Sequence, residues 1–100
     1  MVKHIILWKL KEELSEEQKA TVKAEIKEGL EGLAGKVPGL LDIKVNINPL
    51  PSSNMDLMLD STLESFDALK AYAVHPAHVA VADGKVRPYT CGRYCLDFEI

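Results

Sequence analysis

Alternating apolar and polar positions mark strands at both ends of the chain and twice between them. Val2 to Leu10 reads as a strand with His4, Ile6, Trp8 and Leu10 on one side and Lys3, Ile5, Leu7 and Lys9 on the other. Large apolar groups lie on both sides, so both faces need cover. Ser15 with Gln18 three residues on has the form of a capping box. Val22, Ile26, Leu30 and Leu33 then recur at helical spacing, with Lys19, Lys23, Lys27, Glu28 and Glu31 on other faces as a solvated surface. Gly35 is the expected C-terminal stop, and Pro38-Gly39 the turn into the next strand.

From Leu41 the alternation is strict, with Leu41, Ile43, Val45 and Ile47 expected on the buried side. A loop holding Pro49 and Pro51 separates this strand from a third, Met55 to Ser61, which should pair with it antiparallel. Ser65 is the expected N-cap of a second helix, with Phe66, Leu69 and Tyr72 facing inward. Pro76 breaks that helix, because proline lacks an N–H and biases the preceding residue towards extended backbone, yet its fixed φ suits the first position of a new helix. The new helix should stop at Gly84, and Tyr94, Leu96, Phe98 and Ile100 alternate along a last strand.

The order is β-α-β-β-α-β, which predicts an α+β, ferredoxin-like fold: one domain over residues 1–100, a four-stranded antiparallel sheet with its helices on one face. Ile5, Leu7 and Met58 fall on the face left bare, so a second copy packed sheet against sheet is the simplest cover. A chain of 100 residues buries roughly 65% of its unfolded surface, so a partner subunit also adds needed stability. The 12 basic and 15 acidic residues, net −3, argue against nucleic acid and anionic membranes as partners. Apolar runs fall far short of the roughly 20 residues of a membrane span, and charged Lys9, Lys11, Glu12 and Glu13 follow the start at once; the expected location is the cytoplasm.

Candidate chemistry concentrates at the proline corner. His78 falls in the first turn of the new helix, where a neutral, proton-accepting imidazole is favoured, and Tyr72 in the last turn of the old one. Brought together, phenol and imidazole can move protons or hold an oxygen-bearing ligand; the alternative is a pair of corner residues bonded to backbone. If the His4 side of the first strand faces the helices, then His4, Trp8, Leu57, Leu59, Tyr72 and His78 converge on one cavity. His4 also reads as a buried histidine donating to a carbonyl, and His75, between helices, as a capping or interface residue that otherwise joins the ligand-binding set. No metal is assigned: Cys91 and Cys95, four apart on a strand, lie about 13 Å from each other, and proline separates His75 from His78. Both thiols are expected free.

The Val2-Lys3-His4-Ile5-Ile6-Leu7-Trp8-Lys9-Leu10-Lys11 opening, the long charged helix and the His75-Pro76-Ala77-His78 corner together resemble the stress-responsive dimeric α/β barrel (Dabb) domain over essentially the whole chain. The resemblance implies a homodimer whose two sheets enclose a barrel, with helices outside. Tyr72 and His78 resemble the tyrosine and histidine that serve aldol cyclisation in the plant olivetolic acid cyclase branch, and His4 a pocket histidine there. Ile26 and Leu57 stand where that branch has a further tyrosine and histidine. Two functional expectations follow. One is a pocket that binds a small apolar or carbonyl-bearing molecule without turnover. The other is a cofactor-free enzyme of cyclase or lyase type, with His78 as general base and Tyr72 as oxyanion partner. Fold analogy adds a cofactor-independent monooxygenase as a third.

Overall fold

The computed structural model describes residues 1–100. Strand β1 (Val2–Leu10) is followed by helix α1 (Glu16–Glu31), strands β2 (Leu40–Asn46) and β3 (Leu57–Leu63), helices α2 (Phe66–Val74) and α3 (Pro76–Val81), and strand β4 (Thr90–Glu99). The four strands form one antiparallel sheet in the order β2-β3-β1-β4. This is the expected ferredoxin-like arrangement. Val2, His4, Ile6, Trp8 and Leu10 are buried towards the helices, joined by Leu57, Leu59 and Leu63 of β3 and by Val22, Ile26 and Leu30 of α1.

The capping box forms as expected: Gln18 N–H donates to Ser15 Oγ, and Ser15 N–H donates back to Gln18 Oε1. At its other end α1 closes at Glu31, before Gly35, which instead takes a positive φ of 79° in the following turn. Glu31 and Lys27 are not merely solvated. Val45 N–H donates to Glu31 Oε2 at 2.9 Å, and Lys27 Nζ donates to the Val45 carbonyl at 2.7 Å. Two charged side chains thus occupy backbone groups that the edge strand β2 would otherwise leave unpaired. The Lys27 hydrogen bond, against opposing burial, holds the Glu31 carboxyl below its ordinary pKa.

Three further expectations of burial or termination do not hold. Leu41 is half exposed, because a bulge between Leu40 and Asp42 turns Leu40 inward in its place while Ile43 and Val45 stay buried. Phe66 opens α2 on its outer side and lies under the Lys70 ammonium, 4.9 Å from the ring centroid, rather than in the core. Gly84 does not stop the chain. Helical backbone continues through a π-turn (Ala82–Val86) and a 3₁₀ turn (Arg87–Tyr89), anchored by buried Ala82 and Val86 and an Asp83–Arg87 ion pair.

The helices leave one sheet face open, and on it Ile5, Leu7, Met58, Tyr94, Leu96 and Phe98 stand together by strand register. Tyr94 and Leu96 are 68% and 63% exposed in the single chain. Residues Arg93 to Glu99 of β4 are exposed on both faces, so the helices shelter only three of the four strands.

Candidate functional site

His75 is extended (φ −64°, ψ 133°), the conformation that a following proline favours, and it serves both helices at once. Its N–H closes α2 on the Tyr72 carbonyl, and its Nδ1 caps α3 by accepting from Ala77 N–H at 3.1 Å. The chain reverses there, so His78 in the first turn of α3 comes back over the end of α2. Its Nδ1 donates to the Ala73 carbonyl at 3.2 Å. The Tyr72 and His78 rings lie 4.3 Å apart, centre to centre, tilted by 39°.

That bond fixes the useful tautomer. With Nδ1 carrying the proton, a neutral His78 keeps its lone pair on Nε2. Burial lowers the His78 pKa, partly countered by the hydrogen bond to Ala73, so the ring is an unprotonated base near neutrality. The helix N-terminus invoked from the sequence is not the leading cause; desolvation is. Tyr72 is almost fully buried, and no protein group lies within hydrogen-bonding reach of its hydroxyl. Burial pushes its pKa to about 12, which keeps the phenol a donor throughout the physiological range.

These groups border a cavity of about 130 Å³ between sheet and helices. Its apolar walls include Ile6, Trp8, Leu59 and Val86, and its polar groups are His4, Tyr72, His78, Thr90, Arg87 and Arg93. His4, Trp8, Leu59, Tyr72 and His78 are therefore gathered as the sequence suggested. Leu57 and His75 are not: Leu57 is packed in the core opposite Trp8, nearer the β2–β3 connection, and His75 is held by its two capping bonds. A larger hollow of about 380 Å³ lies beneath the loop between β2 and β3, bordered by Asn46, Asn48, Ser52 and Asn54 together with Leu7, Leu57 and Met58, and no histidine lines it.

Sequence reasoning missed Asp97. His4 and Asp97 are direct cross-strand partners, and His4 Nδ1 donates to Asp97 Oδ1 at 2.5 Å. His4 is thus a buried histidine bonded to a carboxylate rather than to a carbonyl, with its ring edge-on to Tyr72 at 6.0 Å. Arg93 and Cys95 share that side of β4. The alternation of Arg93, Cys95 and Asp97 against Tyr94, Leu96 and Phe98 carried the signal, but the register that sets Asp97 beside His4 is not written in β4 alone.

The profile of the stress responsive A/B barrel domain matches residues 2–100. Among solved structures, a dimeric protein of unknown function with a ferredoxin-like fold from Bacteroides fragilis is 34% identical with a TM-score of 0.92, over 99% of this chain and 95% of that one. A Dabb family protein from Mesorhizobium loti is 15% identical (TM-score 0.75, 99% of this chain, 95% of that). The hydroxynitrile lyase of Passiflora edulis is 19% identical (TM-score 0.73, 99% and 92%) and is similar in fold. No protein of curated function matches the chain.

Proposed function

The chain belongs to the stress-responsive A/B barrel (Dabb) family, and from that premise we propose that it is a homodimer whose cavity beside Tyr72 and His78 binds a small carbonyl-bearing molecule. The observation that carries this reading is the Tyr72 hydroxyl: buried, protonated and without a protein partner, on a residue that lines the cavity beside Ile6, Leu59 and His78. A ligand oxygen placed there gains a hydrogen bond that the chain itself does not supply. The size of the cavity sets the scale. At about 130 Å³ it is close to cavities that admit benzene, so the ligand, or the part of it that is sheltered, is one small ring or a short branched chain. The dimeric state of the Bacteroides fragilis relative and the apolar open face support two sheets closing on each other.

Cyclohexanone and toluene, matched in heavy atoms and differing in the carbonyl, test the binding. Cyclohexanone should perturb amide signals of Ile6, Leu59 and Ala82 at concentrations where toluene acts more weakly, and Tyr72→Phe should erase the difference. Equal binding of both probes by the unaltered protein would refute the carbonyl site.

The position of His78 favours a second reading, a cofactor-free enzyme in which Nε2 removes a proton next to the carbonyl while Tyr72 donates to the oxygen as negative charge grows on it. The lyase of Passiflora edulis has the same fold. Exchange of the α-protons of cyclohexanone in D₂O measures this step without knowledge of the natural substrate. Acceleration that vanishes in His78→Ala supports catalysis; the same rate in the variant assigns the cavity to binding alone.

A further inference from the structure

The face of β4 turned towards the helices carries a group of donors that neither reading uses. His4 Nδ1, Cys95 Sγ and Asp97 Oδ1 all lie within 4.8 Å of one another. The sulfur is 4.0 Å from the imidazole nitrogen and 3.5 Å from the carboxylate oxygen, and nitrogen and oxygen are 2.5 Å apart. All three sit on paired strands: Asp97 is opposite His4, Cys95 is two residues before it on the same face, and β1 is the buried centre of the sheet. Donors on such a scaffold are held in place without loop closure.

We propose that His4, Cys95 and Asp97 form a binding site for a divalent transition-metal ion of the zinc class, one per chain, between the paired strands β1 and β4. Nitrogen, thiolate and carboxylate are the donor types that zinc takes, and three protein ligands leave a fourth position open. Ligand bonds of about 2.0 to 2.3 Å around a tetrahedral ion set the donor atoms roughly 3.3 to 3.8 Å apart. The two sulfur distances already lie near that range. The nitrogen and oxygen must separate by roughly 0.8 Å, as happens when an ion replaces the proton they share. Binding then balances simply: the Cys95 thiol loses its proton to solvent, and the His4 proton moves from Nδ1 to Nε2. Thiolate and carboxylate neutralise the ion, and Arg93, on the same side of β4, leaves the open position suited to water or an oxygen anion. Cys91, whose Sγ–H points to the Leu10 carbonyl, lies apart from the group and serves as an internal control.

Cobalt(II) added to the reduced, metal-stripped protein tests the site. The expected result is a thiolate-to-cobalt charge-transfer band saturating at one ion per chain, displaced by zinc, retained in Cys91→Ser, lost in Cys95→Ser and weakened at least tenfold in Asp97→Asn. Tyr72 and His78 are not ligands, so the band should persist in Tyr72→Phe, and this outcome is separate from the fate of the carbonyl reading. No band at stoichiometric cobalt, a band that survives Cys95→Ser, or one lost in Cys91→Ser would overturn the assignment. Circular dichroism of each variant separates loss of a ligand from loss of the fold.

Discussion

Tyr72→Phe should stabilise the protein while impairing its cavity. The hydroxyl is buried, and neither side chain nor backbone bonds to it. A hydroxyl buried without compensation costs about 1 to 3 kcal/mol. Phenylalanine keeps the ring and its contacts with His4 and His78, so the substitution removes the unpaired group and leaves no cavity larger than one oxygen. The expected gain is about 1 to 2 kcal/mol, and in a domain of this size each kcal/mol raises Tm by about 4 to 8 °C. Urea unfolding at a fixed chain concentration should show a higher midpoint with an unchanged slope. Saturating cyclohexanone should raise the midpoint of the unaltered protein and not that of the variant. A loss of 1 kcal/mol or more would refute the reasoning, because the hydroxyl would then have a partner in the free protein and would not be reserved for a ligand.

Leu96→Asp sets a carboxylate in the middle of the open face and should raise the dimer dissociation constant by more than about a hundredfold, roughly 3 kcal/mol, read by sedimentation equilibrium; an unchanged constant would place the interface elsewhere. Glu31→Gln should flatten the acid limb of stability. The folded carboxyl has a pKa below the ordinary 4.5, so its contribution is full above 4.5 and is lost as pH falls through the folded value; identical acid unfolding of variant and parent would remove Glu31 as a cause. If His78 is the base, the exchange rate should be flat above neutrality and fall only below pH 6.5, since burial lowers its pKa and the unprotonated ring acts. An inflection above 6.5 would point to another group.

Local chemistry made much of this legible. The bounds of β1, the Ser15–Gln18 box and the break at Pro76 follow from alternation, side-chain capping and the missing proline N–H, and each is where those rules put it. Leu41 failed because alternation presumes an unbroken register, and a single extra residue at a bulge reverses it. Gly84 failed because glycine permits a helix stop without imposing one; buried Val86 and the Asp83–Arg87 pair draw the chain through another turn. At the site, Tyr72 and His78 were readable because one proline fixes their meeting within six residues. Asp97 was not, since it reaches His4 across 93 positions by strand pairing. Leu57 shows the converse: correct alternation places a residue on a face but not along its length.

The uncovered flank of β4 has a kinetic consequence. Arg87 and Arg93 line the cavity and are also exposed, so the hollow communicates with water at the rim of the sheet in the isolated protomer. A guest arriving there meets the two arginines first, ahead of the buried residues of the wall. Residence time rather than arrival should therefore set how tightly one guest is held over another.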